Sequence, residues 1–498
     1  YSIRVEFCLI IGFLNDKIRK RICKYENLRR KPMANETFDF KAWILKHSND
    51  EYRMTLENDQ LIMLRTDYGE ASIQFTEIEE NTIVEFKITF DKDHSVKFYL
   101  HFELNDENHA KQLYDEMVET LIGLKDQKTL KVLLSCSAGL TTSMFAENLN
   151  SVAEMLGLDY HFDAVSYLSL YEEVQNYDIV FIAPQIGYMY NRLKESLPDK
   201  LVLQIPTSLF ASYDALGAIQ FIQQEFKNIE KQQEEKAAEC CVCCTQYEKR
   251  ILSIAIMING EQTRISYRLY DKCEIIDSHV IMKPSMNIYD LYDIIDTVLL
   301  KHSYIDVIGI ATPGIVEDDK VFKEPNDGKI IDMKNDFEEK YNIQIFVYNN
   351  ADAAAVGFVL EHPEYQNVIY HSQPFGFGVG GQGIVANGKV IRGKNGVAGE
   401  VKYFLRRMQL SDDVHKLAWT QQGTLELITK SLLPSLTVIG PEAVALYAPM
   451  TPDMNEVKNK LKSFISEEFL PEFYYIKEPI SYMLSGITEL CVDYLEKE

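Results

Sequence analysis

Lys131–Phe145 reads KVLLSCSAGLTTSMF: a short apolar strand, a cysteine at its carboxyl end, then a loop of small residues entering a helix. Leu133 and Leu134 end a strand that helices bury on both faces. Ser137, Ala138, Gly139, Leu140, Thr141, Thr142 and Ser143 make up the loop, mostly short side chains that let backbone N–H groups turn inward around Cys136. The next run, MFAENLNSVAEML, has apolar residues at helical spacing, so the loop stands at a helix N-terminus. Unpaired N–H groups and the positive end of the helix dipole stabilise an anion there. The same field favours a thiolate, the reactive form of cysteine. A nucleophile inside a phosphate cradle points to a cysteine that accepts a phosphoryl group and passes it on. The competing reading is an inert core cysteine beside an ordinary strand–helix turn.

Working outward, LDYHFDAVSYLSLYEEV, YDIVFIAPQIGYMYNRLKESL and KLVLQIPTSLFASYDALGAIQFI follow the loop helix, each a strand and then a helix. This predicts a small doubly wound parallel sheet with its ligand loop after the first strand. On the CSAGLTTS loop, the AVS after the second strand and the APQIGYMYNRLKE segment, residues 130–228 resemble the enzyme IIB domain of the lactose/cellobiose type in the bacterial sugar phosphotransferase system. The resemblance implies that Cys136 takes phosphate from a histidine of a IIA-type protein and delivers it to a sugar held by a membrane IIC partner. It also puts Pro184, Gln185 and Tyr188 at the rim of the site. No cofactor is implied, because backbone N–H groups carry the electrostatic load.

The 498 residues suffice for about three domains. With 46% apolar and 25% charged residues the chain reads as globular. A net charge of −24 argues against nucleic acid or an anionic membrane as partner. No apolar run approaches the length that crosses a bilayer. Nine irregularly spaced cysteines do not form a secreted disulfide framework, and a reduced cytoplasm is the expected location.

Residues 1–32 are basic and unlike the rest; they read as a non-native or disordered leader, with Met33 as the natural start. Residues 33–127 alternate apolar and polar positions in YRMTL, QLIMLRT, EASIQFTEI, NTIVEFKITF and VKFYLHFEL. They predict an antiparallel sheet closed by the helix ENHAKQLYDEMVETLIGL, with no readable chemistry. The IIB-like domain is assigned to 129–228 and a linker to 229–247. That linker holds CCVCC at Cys240, Cys241, Cys243 and Cys244, too tight a spacing for one ion to gather four thiolates, and no metal site is assigned.

Residues 248–498 return to alternating strands and helices. IDVIGIATPGIVEDDKV (Ile305–Val321), IQIFVYNNADAAAVGFVLE (Ile343–Glu361) and FGFGVGGQGIVANGKVIRGKNGVAGEV (Phe375–Val401) resemble the ROK family of sugar kinases and sugar-responsive repressors. The resemblance implies a two-lobed, actin-like ATPase fold. The departures from it are chemical. The family's catalytic Asn-Asp pair is Asn349–Asn350, and an amide is no general base. Asp352 lies two residues on, aimed elsewhere on the helix. Met257 stands where a magnesium-binding Asp is expected, and that ion needs oxygen. Phe377 replaces the Thr of the second phosphate loop, Tyr447 and Ala448 replace the glycine pair beside the adenosine, and Tyr403 replaces a zinc-binding His. A kinase-like domain without kinase activity and without metal follows. Asn349, Asn350 and Glu400 match sugar-contacting positions, so a sugar or sugar phosphate is the ligand considered; helix capping by Asn349 and turn capping by Glu400 are the alternative.

The sequence therefore predicts a multidomain α+β and α/β chain: an antiparallel sheet with its helix, a IIB-like parallel sheet, then a ROK-like two-lobed fold. The leading function is a phosphotransferase through Cys136, coupled to a sugar-sensing or regulatory half. A transport component serving a membrane IIC partner, an active ATP-dependent sugar kinase, and an idle scaffold are the other readings. A homodimer is a weaker expectation of the ROK resemblance.

Overall fold

The computed structural model describes residues 38–495, except 48, 92–94, 128, 138–139, 198–199, 236–246, 260–261, 303, 318–319, 323–329, 332, 375 and 452–453. The leader 1–32 and the Cys240–Cys244 cluster lie outside the described residues.

Helix α1 (Phe40–Lys46) starts at Asp39, whose carboxylate accepts the Ala42 N–H at 2.8 Å. Strands β1 (Arg53–Asn58), β2 (Leu61–Arg65), β3 (Gly69–Ile78), β4 (Asn81–Phe90) and β5 (Val96–Glu103) pair in sequence as an antiparallel meander. The two-residue periodicity buries Ala71, Ile73 and Phe75 of β3 and Phe86, Ile88 and Phe90 of β4 on one face. Helix α2 (Glu107–Gly123), capped by Asp106, buries Ala110, Leu113, Tyr114, Met117 and Leu121. So far the first segment is built as the alternation predicts.

The IIB-like region follows: β6 (Leu130–Cys136), α3 (Leu140–Met155), β7 (Tyr160–Ser166), β8 (Ile179–Ile182), α4 (Tyr190–Ser196), β9 (Leu201–Gln204) and α5 (Ala215–Glu235). Its sheet is wholly parallel in the order β7-β6-β8-β9. Strands β6 and β8 are buried at nearly every position, as a sheet covered on both faces requires. Helix α5 runs on to Glu235, so the first seven residues of the linker predicted from residue 229 continue the last helix of this region.

The remaining half has two lobes. The first holds β10 (Arg250–Asn259), β11 (Gln262–Asp271), β12 (Glu274–Lys283), α6 (Ile288–His302), β13 (Val307–Thr312), a small sheet of β14 (Ile315–Glu317), β15 (Lys320–Phe322) and β16 (Ile330–Ile331), then α7 (Met333–Tyr341) and β17 (Gln344–Asn349). Helix α8 (Asn350–Glu361) leads to the second lobe: β18 (Val368–Ser372), β19 (Gly381–Ala386), β20 (Lys389–Val390), α9 (Gln421–Ile439), β21 (Ala443–Tyr447), α10 (Met454–Leu461), β22 (Glu472–Tyr475) and α11 (Pro479–Leu495). The second-lobe sheet is ordered β20-β19-β18-β21-β22.

The sequence reading treats residues 33–127 as a unit of their own, yet β5 pairs antiparallel with β12 at Tyr99 and Met282. One ten-stranded sheet, β1-β2-β3-β4-β5-β12-β11-β10-β13-β17, therefore spans the first segment and the first lobe. Their side chains share one apolar core that includes Phe102, Tyr114, Tyr267 and Leu291. Among the described residues no helix is long and apolar enough to cross a membrane.

Candidate functional site

Strand order places the first site. Strands β7 and β8 flank β6 on opposite sides, so the chain reverses its winding there. Ligands of open parallel sheets bind beyond the carboxyl ends of the strands at such a switch point. Cys136 is the last residue of β6, level with Ser166 of β7. Its Sγ lies 3.2 Å from the Thr142 hydroxyl, which is itself wholly buried in the first turns of α3. Cys136 is 5% exposed and joins an apolar cluster with Leu134, Phe145 and Ala146. Both readings of the sequence thus meet at one atom, a cysteine packed like a core residue yet seated at the mouth of a ligand loop.

Ser137 and Ser143 are exposed beside it. Ala138 and Gly139 fall outside the described residues, and for Leu140 and Thr141 only the helical backbone is described. Across the mouth, the Ala183 N–H donates to the Ser135 carbonyl at 2.8 Å, which ties the end of β8 to β6. Pro184–Met189 turns there in a 3-10 helix with Pro184 opening it; Gln185 is exposed and Tyr188 is 80% exposed. The predicted rim residues therefore stand at the carboxyl end of the sheet with Cys136.

The second candidate site lies where the lobes meet. Asn349 ends β17 and caps α8: its Oδ1 accepts the Ala351 N–H at 2.7 Å, and its Nδ2 donates to the Gly314 carbonyl at 2.7 Å. The capping alternative for Asn349 is what the geometry contains. Asn350 donates Nδ2 to the Ile256 carbonyl at 2.8 Å, but its Oδ1 is buried with no donor. Glu400 makes an ion pair with Lys402 at 2.9 Å. Asp352, set aside on sequence grounds, is nine-tenths buried, and its carboxyl feels Arg392 and Glu400. Burial pushes it up to about 7, with Arg392 opposing and Glu400 adding. The sequence names Asp352 as the displaced base of an active kinase but does not show its setting, because Arg392 and Glu400 lie forty residues or more along the chain.

Around the glycine loop the surroundings are protein. A Cβ at Gly376, where φ is +74°, would lie 2.6 Å from the Trp419 ring; one at Gly378 would lie 2.9 Å from the Val414 carbonyl oxygen. The Gln373 amide also donates to the Phe377 carbonyl. Met257 is buried in the core between the lobes with Ala311 and Tyr348. Tyr447, Ala448 and Met450 are buried as well. Among the described residues no group of three or more His, Cys, Asp or Glu side chains is placed to hold a metal ion.

With this geometry in hand, comparison with known proteins resolves two regions. Residues 131–220 match the model of the PTS system, lactose/cellobiose specific IIB subunit, and residues 255–405 match that of the ROK family. The xylose repressor of Bacillus subtilis (strain 168) is 33% identical over 135 residues, 26% of this chain and 33% of its own length. The lactose-specific EIICB component of the PTS system from Streptococcus mutans is 32% identical over 102 residues, 20% of this chain and 18% of its own. The chain thus spans a third or less of the length of these curated relatives. Among solved structures, a ROK family protein from Streptococcus pneumoniae TIGR4 in complex with sucrose is 17% identical with a TM-score of 0.37, covering 50% of this chain and 99% of that one. A lactose-specific IIB domain structure from Streptococcus pneumoniae is 22% identical with a TM-score of 0.19, covering 20% of this chain and 97% of that one. One chain therefore carries a IIB domain of the lactose/cellobiose type, residues 131–220, fused to a ROK domain, residues 255–405.

Proposed function

We propose that Cys136 is a phosphoryl carrier, loaded by the phosphohistidine of a IIA-type protein, and that the ROK half is a sugar-responsive regulatory module without kinase turnover. The observation that carries the reading is the seat of Cys136, at the switch point of a IIB sheet and beside Thr142 in the first turns of α3. In the transfer the thiolate sulfur attacks phosphorus. The S–P bond forms as the donor's N–P bond breaks, and the electron pair returns to the imidazole, which takes up the proton the thiol released. The names of the relatives support both halves: a lactose-specific PTS component for one, a xylose repressor for the other.

Loss of kinase chemistry is argued from three places. Met257 offers no oxygen to magnesium, Trp419 and Val414 overlie the second glycine loop, and Asn350 has no basic lone pair. A magnesium nucleotide does not fit such surroundings. The buried, donorless Oδ1 of Asn350 and the Glu400 carboxylate remain as acceptors for sugar hydroxyls. A cytoplasmic location follows from the phosphotransferase role.

Incubation with phosphoenolpyruvate, the general phosphotransferase proteins and a IIA donor should add one phosphoryl group to the intact mass, lost in Cys136→Ser. A label that survives in Cys136→Ser refutes the carrier. A coupled ATPase assay over a sugar panel should give no turnover; turnover abolished by Asp352→Asn would restore the kinase reading, for which a carboxyl near 7 is the favouring observation. The lactose-specific EIICB relative favours a second role, phosphate delivery to a membrane IIC partner, read out as sugar phosphorylation by membranes containing one.

A further inference from the structure

The mouth of the Cys136 site is built from the segments that follow three neighbouring strands. After β6 comes SAGLTTSM (137–144), after β7 YLS (167–169) and after β8 PQIGYMY (184–190). Together they hold eighteen residues and no Asp, Glu, Lys, Arg or His, in a chain of which 25% is charged. A stretch of average composition and that length would carry about four or five charges. Going on along the chain from each segment, the next charged residues are Glu147, Glu172 and Arg192.

What the rim offers instead is apolar surface. Leu168 is 86% exposed, the most of any large apolar side chain among the described residues; Tyr188 is 80% exposed and Met144 64%. The strand order β7-β6-β8 sets the segments of Leu168 and Tyr188 on either side of Cys136 and Met144. Neighbouring strands are only about 4.8 Å apart, so the three segments stand side by side. A single exposed apolar residue needs no explanation, but three on adjacent segments around one sulfur, with no charge among them, mark a contact surface. The second lobe touches the IIB domain through Met450 and Gln421, yet these exposures hold within the whole chain, so it leaves all three side chains open.

The seat of Cys136 explains why a partner must come down on this surface. The residue is nearly buried, so a phosphorus atom can meet its sulfur in line only when the donor's histidine is pressed into the mouth. A carboxylate on the rim would repel the phosphoryl group, and a lysine or arginine there would hold it short of the sulfur. A rim without charges does neither, and leaves the burial of apolar area to supply the contact.

We propose that Leu168, Tyr188 and Met144 form the docking face for the phosphohistidine donor, and that the donor surface they meet is apolar around its histidine. This rests on the phosphoryl-carrier reading above and deepens it; the exchange of an N–P for an S–P bond is the one written there. Salt weakens a contact between charges far more than one made by apolar area, so loading stays fast at high ionic strength.

The test is the rate at which the full chain takes up phosphate from a lactose-type IIA protein, charged from phosphoenolpyruvate through the general phosphotransferase proteins and read by intact mass. The double variant Leu168→Ser with Tyr188→Ser should slow loading at least tenfold. Met155→Ser should leave it unchanged, since that side chain is 81% exposed but stands at the far end of α3. Alkylation of Cys136 by iodoacetamide, followed in its own peptide, should run at the wild-type rate in both variants. Wild-type loading should change less than threefold between about 0.05 M and about 0.5 M KCl. A double variant that loads as fast as Met155→Ser refutes the docking face while the carrier stands, and poor delivery to IIC membranes in that case gives the face to the acceptor. A tenfold fall with salt, or alkylation that slows in step with loading, also refutes it. A wild type that takes no label refutes the carrier, and the docking face with it.

Discussion

At the scale of single residues, Asp352 and Cys136 are both buried. For Asp352 the carboxyl is pushed up to about 7, against 3.8 for a free aspartate, so the native state holds a proton that the unfolded chain gives up. Between those two values the native state binds more protons, and stability falls as pH rises from about 4 to about 7. Asp352→Asn keeps the shape and removes the ionisation. Its stability relative to wild type should therefore grow across that window, by on the order of 2–4 kcal/mol. Urea midpoints at pH 5 and pH 8 measure this, and a difference that stays constant between them contradicts the burial argument. Cys136 was legible because everything that marks it is local: strand, sulfur, small residues and helix lie within fifteen positions. Asp352 was not, because its character comes from Arg392 and Glu400, which the fold brings near. Helix geometry alone aims Asp352 away from Asn350, and no local pattern announces what lies on that other face.

At the scale of elements, helices α8 and α11 explain why small residues crowd the stretch NADAAAVG. A Cβ at Gly357 would run into the Tyr482 carbonyl, and one at Gly486 would run into the Ala353 carbonyl. The two backbones approach each other directly, and the alanines between them leave no room for a larger side chain. In the sequence this run reads as a small-residue helix, and that much is correct; the identity of its partner, more than a hundred residues later, is not written in its periodicity. Gly486→Ala should cost about 2–4 kcal/mol, since the clash is with backbone that cannot rotate away. The adjacent Ser485→Ala carries no such clash and serves as the control. Chemical denaturation of both variants decides the matter, and an unaffected Gly486→Ala would mean the helices can separate freely. The glycine loop teaches the same lesson. Its glycines are plain in the sequence, whereas the cover over them, Trp419 and Val414, comes from a segment with no motif of its own.

At the scale of the whole molecule, the first segment and the first lobe fold as one body. Their strands share a sheet across β5 and β12, and their side chains share a core. At the seam sits Lys283, with its side chain 4% exposed, paired to Asp290 of α6 at 2.7 Å and to Glu116 of α2 at 2.9 Å. Burial alone would lower its pKa, but Asp290 and Glu116 outweigh that and hold the ammonium charged. His109 of α2 adds a second tie to Asp293 of α6 at 2.9 Å. Each carboxylate belongs to a different segment, so the ammonium fastens the two together. Lys283→Met removes it and leaves Asp290 buried without a counter-charge, a loss of about 3–5 kcal/mol. If the seam makes one cooperative unit, that loss appears equally on both sides. Native-state hydrogen exchange in Lys283→Met should then show the same drop in protection for β4 as for β11, with β6 and β8 of the IIB domain unchanged. A drop confined to β4 would mean that the first segment is a module merely resting against the lobe. The antiparallel meander was readable from its alternation, but the pairing of β5 with β12 spans about 180 residues and leaves no trace in either strand. That pairing gives the first segment a physical role even without chemistry of its own: it extends the sheet of the first lobe, so any movement of that lobe must carry the meander with it.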